Sequence, residues 1–234
     1  MPEPSAPGAW PVLGRQRLAP GAIVARNLAV GGSAMLVLGG GIVQSGFGGR
    51  ARLERGMLAI RPWFDCRAAH ASPAGADLLH LPWRFDASLG GVYDAIDVDR
   101  LAHTARADPS AACAAIEALV AAAQPRAPDH THWADHLAAA FAADTTLGIT
   151  GWSAHAGLSR KAVARDFRRA YGVAPVRFRL EIRARAAWVR IVSGAEPLSL
   201  IALETGFADQ AHMTRTLGWL TGRPPIAWRR ARAG

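Results

Sequence analysis

The sequence has few cysteines and no long uninterrupted apolar run. Its two cysteines, Cys66 and Cys113, lie 47 positions apart, so they form neither a CxxC zinc motif nor a disulfide framework. The N-terminal segment carries Glu3 and four prolines by Pro11 without a basic region, and the first long apolar stretch is interrupted by glycines and by Gln44. We therefore expect a reduced, cytoplasmic protein that is neither exported nor inserted into a membrane.

Lysine is even scarcer than cysteine. Lys161 is the only lysine among 27 basic residues, and with 18 acidic residues the net charge is +9 and the pI is near 11.1. Neither GxGxxG nor GxxxxGK can be placed on the glycine clusters, which excludes a phosphate-binding loop of either type. Arginine has a planar fork of donors that suits phosphate and guanine, so the composition favours a polyanionic partner.

Charge and texture both change along the chain. The residues up to Arg126 hold 12 basic and 10 acidic side chains, whereas the remainder holds 15 and 8. Short apolar runs broken by Gly and Pro fill residues 12–98, and helical spacing fills residues 130–234. We predict an α+β protein with a β-rich domain at 1–108, an interdomain helix and linker at 109–128, and an all-α domain at 129–234.

The β-rich domain contains several short runs with the alternation of an antiparallel sheet. These predicted strands cover residues 34–38, 41–43, 51–53, 57–60 and 78–81. Glycine pairs at 31–32, 39–40 and 48–49 are predicted turns. Short strands at this spacing favour a small barrel or a sandwich.

An alanine-rich segment at residues 109–124 is predicted to be a helix that ends before Pro125 and Pro128. One stripe of this helix is apolar and contains Ile116, Leu119, Val120 and Ala123. Ordinary core packing is the favoured interpretation of the stripe, and a dimer seam is the alternative.

The all-α domain contains two similar halves. Ser159 is a predicted N-cap for a helix at 160–171 that ends at Gly172, and Asp209 is one for a helix at 210–221 that ends at Gly222. Short helices at 152–157 and 198–205 precede them, and a helix at 176–193 connects the halves. The pattern therefore predicts two helix-turn-helix units held apart by a rigid connector.

Helical spacing divides these helices into buried and exposed faces. The predicted buried residues are Val163, Phe167, Ala170 or Tyr171, then Phe178, Ile182, Ala187, Trp188 and Ile191, then Met213, Leu217 and Leu220. The predicted exposed residues are Arg160, Lys161, Ala164, Arg165 and Arg168 in the first half, Gln210, Ala211, His212, Thr214 and Arg215 in the second, and the arginines of the connector.

This arrangement resembles the AraC/XylS family of bacterial transcription regulators over residues 129 to 234. The residues that carry the resemblance are Ser159, Arg165, Phe167, Gly172, Pro175, Arg183, Ala187, Ala202, Gly206, Phe207, His212, Arg215, Leu217, Gly222, Pro225 and Arg229. The chain departs from the family pattern at Met213 and Leu217, where the family usually has phenylalanine. Gly148 and Gly151 weaken the first short helix by about 1 kcal/mol each.

A weaker resemblance links the first domain to the cupin-like sensor domain that is often fused to this module. It rests on Leu53, Gly56, Leu58, Ile60 and Pro62. The cupin HxH pair and glutamate are missing near residues 32–46, so we expect no metal and no other cofactor. His132 and His136 stand at i and i+4 and could share a metal, but core residues Trp133, Leu137 and Phe141 already account for that helix.

Residues and resemblance together predict a sequence-specific regulator of transcription that binds double-stranded DNA and responds to a small-molecule effector. The expected DNA-binding residues are Arg160, Lys161, Arg165, Arg168, Gln210, His212, Thr214 and Arg215. Pairing of Arg165 or Arg215 with Asp166 or Asp209 is the structural alternative. Arg168, Arg169, Arg177 and Arg179 are expected to neutralise phosphates or to form a solvated face. RNA polymerase and a second copy of the chain are further candidate partners.

The rival interpretation is a small-molecule enzyme or binding protein that uses the β-rich domain. Its candidate groups are Asp65, Cys66, His70 and His80, whose spacing defines no nucleophile, base and orienting group. We therefore expect no enzyme. A ligand in this domain would be hydrophobic if aromatic side chains line a pocket, although these side chains could equally fill a core; they are Trp63, Phe64, Trp83 and Phe85.

Overall fold

The computed structural model describes residues 14–83, 90–94, 97–128 and 132–233. The chain divides into two compact units, Met1–His130 and Thr131–Gly234. No helix among the described residues is both long and apolar enough to cross a membrane. The first unit is rich in antiparallel strands and the second is helical, as the sequence predicts.

Seven strands form one antiparallel sheet in the first unit. They are β1 (Gly14–Leu18), β2 (Ile23–Ala29), β3 (Gly32–Gly46), β4 (Gly49–Glu54), β5 (Met57–Arg61), β6 (Asp65–Trp83) and β7 (Gly91–Asp94). Their order is β1-β6-β3-β5-β7, with β2 also paired to β6 and β4 also paired to β3. The strand pairings in the described part of the chain do not close the sheet into a barrel, and the predicted β-rich, antiparallel character of this unit is confirmed.

β3 is bent back on itself, and its bend corrects a predicted turn. Gly39 and Gly40 lie inside this continuous strand, where the pairing with β6 shifts register twice, between Val37 and Gly39 and between Gly40 and Ile42. Nine extended residues would span about 30 Å, yet Nε2 of Gln44 lies 3.2 Å from Sδ of Met35. The strand therefore changes direction without ending.

Two glycines lie at this bend, one in β3 and one in β6, and their backbones approach each other closely. Gly40 and Gly75 both have positive φ, at 64° and 76°, a region that L side chains rarely adopt. A Cβ on Gly40 would overlap the carbonyl oxygen of Gly75 and would lie 2.9 Å from its carbonyl carbon. β3 and β6 therefore bend together at a point where neither backbone leaves room for a side chain.

Two helices cover one face of the sheet, α1 (Val98–Ala107) and α2 (Pro109–Ala122). Asp97 and Asp108 cap them, because the side chain of each accepts hydrogen bonds from backbone N–H groups of the first turn. Ile116 and Val120 of α2 are buried with Leu36 and Leu58 of the sheet, and the rest of the predicted stripe packs against the same core. The stripe is therefore used in core packing within the first unit, and the sequence did not predict α1.

The aromatic residues expected near a ligand are mainly core residues where the structure describes them. Trp83 is buried in the cluster beneath α1 and α2, and Phe64 is fully buried. Trp63 is partly exposed, and Phe85 lies outside the described residues. Core filling is thus the correct alternative for Phe64 and Trp83.

The second unit contains seven helices among the residues that the structure describes. They are α3 (Trp133–Ala143), α4 (Ile149–His155), α5 (Arg160–Tyr171), α6 (Pro175–Ser193), α7 (Leu198–Glu204), α8 (Gln210–Thr221) and α9 (Pro225–Ala233). The connector α6 begins at Pro175, whose fixed φ suits the first helical position. The predicted helices at 160–171, 176–193, 198–205 and 210–221 agree with these to within one residue at each end, whereas α4 begins three residues earlier than predicted.

Aromatic packing holds α3, α5 and α6 together. The rings of Phe167 and Tyr171 stack at 4.6 Å, and Phe178 of α6 meets both edge-on at 5.3 and 5.0 Å. The hydroxyl of Tyr171 donates a 2.7 Å hydrogen bond to Oδ1 of the buried Asp135. This core supports α5 from behind and leaves its opposite face in solvent.

Candidate nucleic-acid interface

The first helix-turn-helix unit consists of α4, a turn and α5. The Ser159 hydroxyl accepts a 3.2 Å hydrogen bond from the backbone N–H of Ala162, and α5 ends at Gly172 with φ of 73°. Both capping predictions are confirmed. Gly148 caps α4 without a side-chain hydrogen bond, so the start of this helix has less local support than the start of α5.

α5 separates a buried stripe from a cationic face. Val163, Phe167 and Tyr171 are buried, as predicted. The predicted DNA-binding residues of this helix are all exposed; they are Arg160, Lys161, Arg165 and Arg168. At 100° per residue, the last three fall within about 60° of one another around the axis. The helix therefore presents a cationic stripe.

Arg165 is not a free cation on this stripe. Its Nε and Nη2 donate hydrogen bonds to the two carboxylate oxygens of Asp166 at 2.7 and 3.1 Å. This bidentate contact raises the pKa of Arg165 and lowers the pKa of Asp166. The alternative considered for Arg165, pairing with an adjacent carboxylate, is the arrangement in the structure. Because the Arg165 side chain remains 68% exposed, the pair could open when a stronger anion approaches.

The second helix-turn-helix unit consists of α7, a turn and α8, and its recognition helix has the same kinds of cap as α5. Oδ1 of Asp209 accepts a 2.6 Å hydrogen bond from the N–H of His212, and α8 ends at Gly222 with φ of 70°. Gly206 adopts φ of 79° in the turn, and a Cβ there would lie 3.1 Å from Nε of Arg183. The left-handed conformation therefore favours glycine at this position, and the Arg183 side chain leaves little room for a Cβ.

α8 presents a more mixed face than α5. Met213 and Leu217 are buried as predicted, together with Thr216, and Leu220 is partly buried. Gln210 and Arg215 are exposed and Thr214 is partly exposed. Among the described residues, Arg215 forms no ion pair, in contrast to Arg165.

His212 has a different environment from the one expected. Its ring is partly buried and packs edge-on against Phe207 at 5.2 Å between ring centroids. His212 therefore packs against the turn, whereas Gln210 and Arg215 extend into solvent.

Trp219 lies on the same helix and is two-thirds exposed. The guanidinium of Arg177 lies 3.6 Å from its ring centroid.

The connector arginines were expected to point outward, and the structure corrects this expectation. Arg179 donates to the carbonyl oxygen of Leu147, and Nε of Arg183 donates to that of Thr145 at 3.1 Å. Arg177 pairs with the buried Glu181 at 2.8 Å. Arg179 and Arg183 hold α6 against the segment before α4, and Arg177 pairs within α6, so these side chains do not form a solvated face.

A further arginine joins α6 to the second helix-turn-helix unit. Arg190 contacts both Glu196 and Glu204, and hydrogen bonds to the two carboxylates raise its pKa. Only the Arg177–Glu181 pair, at i and i+4, left a signal in the sequence. The other partners are backbone carbonyls or distant residues that spacing could not identify.

The first histidine of the pair, His132, makes local contacts at the start of α3. His132 is the N-cap, and its Nδ1 accepts a 3.2 Å hydrogen bond from the N–H of Ala134. The ring of His132 also packs against Trp133 at 5.3 Å. Among the residues that the structure covers, no group of three His, Cys, Asp or Glu side chains is placed to hold a metal ion.

The candidate enzyme groups of the first unit occupy one long strand, β6. Asp65 begins it and is buried in contact with Arg67, while His80 lies near its end with Nε2 3.1 Å from Oε1 of Gln16. Cys66 is buried and His70 is partly exposed. Asp65 and His80 thus each have a polar partner that the sequence did not predict.

A family model described as a helix-turn-helix domain matches residues 152–231. The match covers both helix-turn-helix units, from Trp152 in α4 into α9. No curated protein matches the chain at a significant level.

Several solved structures are similar to the chain. A probable AraC family transcriptional regulator from Rhodopseudomonas palustris shares 23% identity, with a TM-score of 0.38, over 41% of this chain and 93% of that one. The DNA-binding domain of AdpA, solved with a target DNA, shares 21% at a TM-score of 0.40, over 42% and 90%. Unsaturated-fatty-acid-bound ToxT from Vibrio cholerae shares 9% at a TM-score of 0.42, over 93% and 94%.

Proposed function

Because the chain carries an AraC-type helix-turn-helix domain at residues 152–231, we propose that it recognises specific base sequences by placing α5 and α8 in the major groove. The helix-turn-helix family model supports the resemblance to AraC/XylS regulators for this domain, and the proposal is that the chain is a DNA-binding transcription regulator. Two recognition helices on one module would occupy groove segments about one helical turn apart, roughly 34 Å along the duplex.

The observation that carries this proposal is the different chemistry of the two exposed helix faces. α5 offers Lys161, Arg165 and Arg168, whose charges attract phosphate at any sequence. α8 offers Gln210 and Arg215, which suit bidentate hydrogen bonds to adenine and to guanine. We therefore assign base reading mainly to α8 and backbone positioning mainly to α5.

Within α5, Arg165 has an intermediate role in this proposal. It must release Asp166 before both ends of its guanidinium can reach a base or a phosphate, whereas Arg215 has no such competitor among the described residues. Arg160 and Lys161 lie in the first turn of α5 and would contact the nearest phosphates. Thr214 and His212 flank Arg215 and contribute contacts at the edge of the α8 face.

The test compares three single arginine-to-alanine variants of the full chain. Arg215→Ala should weaken binding to the cognate duplex by about 1 to 3 kcal/mol and relax preference at one base position. Arg168→Ala should weaken binding to all sequences equally and lower the salt slope by about 1. Arg17→Ala is the control, because it removes the same charge from an exposed position in the first unit.

Binding is measured on the cognate duplex and on a panel of single-base changes, at two salt concentrations. If Arg215→Ala loses the same affinity on every duplex, the assignment of base reading to α8 is wrong. If Arg17→Ala matches Arg168→Ala, the effect is one of net charge, and α5 has no special role.

We also propose that the first unit receives a small-molecule effector and acts by binding, not by catalysis. Control of this kind requires a ligand with different affinities for two states of the protein. RNA polymerase and a second copy of the chain are proposed partners in the same scheme, and the cytoplasm is the proposed location.

A further inference from the structure

An exposed ridge on α8 extends beyond the residues assigned above to DNA binding. Ala211, Arg215 and Trp219 are spaced four residues apart, and all three are exposed. At 100° and 1.5 Å per residue, Trp219 lies within about 40° of Arg215 around the helix axis and about 6 Å further along it. Trp219 therefore continues the helix face that presents Arg215.

The indole ring of Trp219 is used as a platform for a cation from another helix. The ring is two-thirds exposed, so it contributes little to the core of the second unit. Arg177 belongs to the first turn of α6, and its guanidinium lies 3.6 Å from the Trp219 ring centroid. This distance is well inside the limit of about 6 Å for a cation–π contact, and tryptophan is the best partner for such a contact. The ridge on α8 thus ends in a stacked Arg177–Trp219 pair.

Glu181 holds the guanidinium of Arg177 from a second side. Nε of Arg177 donates a 2.8 Å hydrogen bond to Oε1 of this buried carboxylate. Within the described part of the chain this is the only hydrogen bond of Arg177, and its side chain keeps 27% of its surface in solvent. A guanidinium carries its donors in a fixed planar fork. Because Nε and one ring face are occupied, the terminal Nη1 and Nη2 groups are oriented in advance and remain available to an anion.

The first helix-turn-helix unit carries positive charge at the equivalent place. When α5 and α8 are aligned by their N-caps, Arg165 matches Arg215 and Arg169 matches Trp219. Arg169 is exposed. In α5 the ridge therefore ends in an arginine of its own, whereas in α8 it ends in a ring that supports an arginine from α6. Both units present a cation one turn beyond their central arginine.

We propose that Arg177 and Trp219 bind one phosphate group of the DNA backbone at the C-terminal end of α8. The Nη groups of Arg177 donate to the phosphate oxygens, which match the fork of a guanidinium, and the open edge of the Trp219 ring packs against the adjoining deoxyribose. A recognition helix contacts base edges with its N-terminal residues, so its last turn meets the sugar–phosphate wall of the groove. The inference rests on the proposed function, because it adds a backbone contact to the same DNA complex.

The experiment uses the full chain and a duplex that this chain enriches from a random-sequence pool. Each phosphate of the duplex is replaced in turn by an uncharged methylphosphonate, and the Kd of each duplex is measured by fluorescence anisotropy. Neutralising the phosphate that Arg177 contacts should weaken binding of the unaltered chain about 10-fold, the scale of one hydrogen bond to a charged group. Arg177→Gln should bind the native duplex and this neutralised duplex equally, because its donor fork is already gone. Arg17→Gln removes an exposed charge from the first unit and should keep the full profile.

Two Trp219 variants keep the proposal testable if Arg177→Gln does not fold, since Trp219 is exposed and its replacement leaves the core intact. Trp219→Leu keeps an apolar side chain without a ring face and should weaken binding to every sequence about 3- to 10-fold, with a smaller effect of the same methylphosphonate. Trp219→Phe keeps a ring and should stay within about 2-fold of the unaltered chain. Preference among single-base changes should be unchanged in both variants, whereas a displaced α8 would lose it.

Three results would each overturn this site: a methylphosphonate profile that neither Arg177→Gln nor Trp219→Leu changes, equal losses in Trp219→Leu and Trp219→Phe, or a loss of base preference in the Trp219 variants. With sequence-specific binding by the unaltered chain, any of these results rejects the Arg177–Trp219 site and leaves the proposed function standing. If the full chain enriches no duplex from the pool, the proposed function and this site are both rejected.

Discussion

Replacing Gly40 with alanine tests the bend of β3 in the first unit. The left-handed backbone at this position costs a residue with a Cβ about 1 kcal/mol. Overlap of the new methyl group with the carbonyl of Gly75 requires a backbone shift, on the order of 1 to 3 kcal/mol. The lower entropy of the unfolded chain returns about 0.5 kcal/mol. We expect Gly40→Ala to lower the free energy of unfolding of this unit by about 2 to 3 kcal/mol.

Gly39→Ala is the matched control in the neighbouring residue. Gly39 does not have a positive φ, and a Cβ there would lie 3.8 Å from that of Asp77, an ordinary contact. We expect its effect on stability to stay within about 0.5 kcal/mol.

Hydrogen exchange in the full chain measures the effect in the correct unit. The slowest amides of β3 and β6 should exchange about 30- to 150-fold faster in Gly40→Ala, while those of α5 and α6 keep their rates. Thermal unfolding of the first unit should fall by roughly 6 to 10 °C. Equal stability of the two variants would show that neither the backbone conformation nor the approach to Gly75 constrains this strand, and the reasoning would fail.

Two further predictions concern buried polar groups. The pKa of His80 is lowered to about 4 by burial and by Arg61, so its contribution to stability is complete above the unfolded value near 6.5 and is lost as the pH falls towards 4, by up to about 3 kcal/mol. In denaturant titrations, the difference in the free energy of unfolding between the unaltered chain and His80→Gln should therefore shrink as the pH falls through that range. A difference that does not change with pH would contradict the lowered pKa. Tyr171→Phe removes the hydroxyl that donates to the buried Asp135 and should destabilise the second unit by about 1 to 3 kcal/mol. Tyr93→Phe makes the same chemical change in the first unit, so an equal loss of second-unit stability in both variants would count against this role.

Local signals predicted most of the second unit. Ser159, Gly172, Asp209 and Gly222 mark the ends of α5 and α8 because caps and left-handed termini depend on adjacent residues. The apolar stripes were equally visible, since one helix face repeats every three to four residues. The faces of α5 and α8 could thus be predicted from the sequence, although their contacts with DNA stay predictions.

Features that depend on distant residues were not predictable. A glycine pair inside an apolar run indicates a turn, and only the partner strand shows that Gly39 and Gly40 bend one continuous strand instead. The connector arginines have the spacing of a solvated face, but their acceptors at Thr145 and Leu147 lie more than 30 residues away. The contacts of Asp65 with both Arg61 and Arg67 likewise exist only after β5 and β6 are in place.

The pairing of β1 with the far end of β6 has a consequence for how the chain is made. Gly14 pairs with His80 and Leu18 with Ala76, so the first described strand waits for its neighbour until some 60 further residues have left the ribosome. Contacts of such high order close large loops and form slowly. The helices of the second unit pack largely on sequence neighbours, such as α7 on α8. The half of the protein that is synthesised first is therefore expected to finish folding last, with its strand edges open to other chains in the meantime.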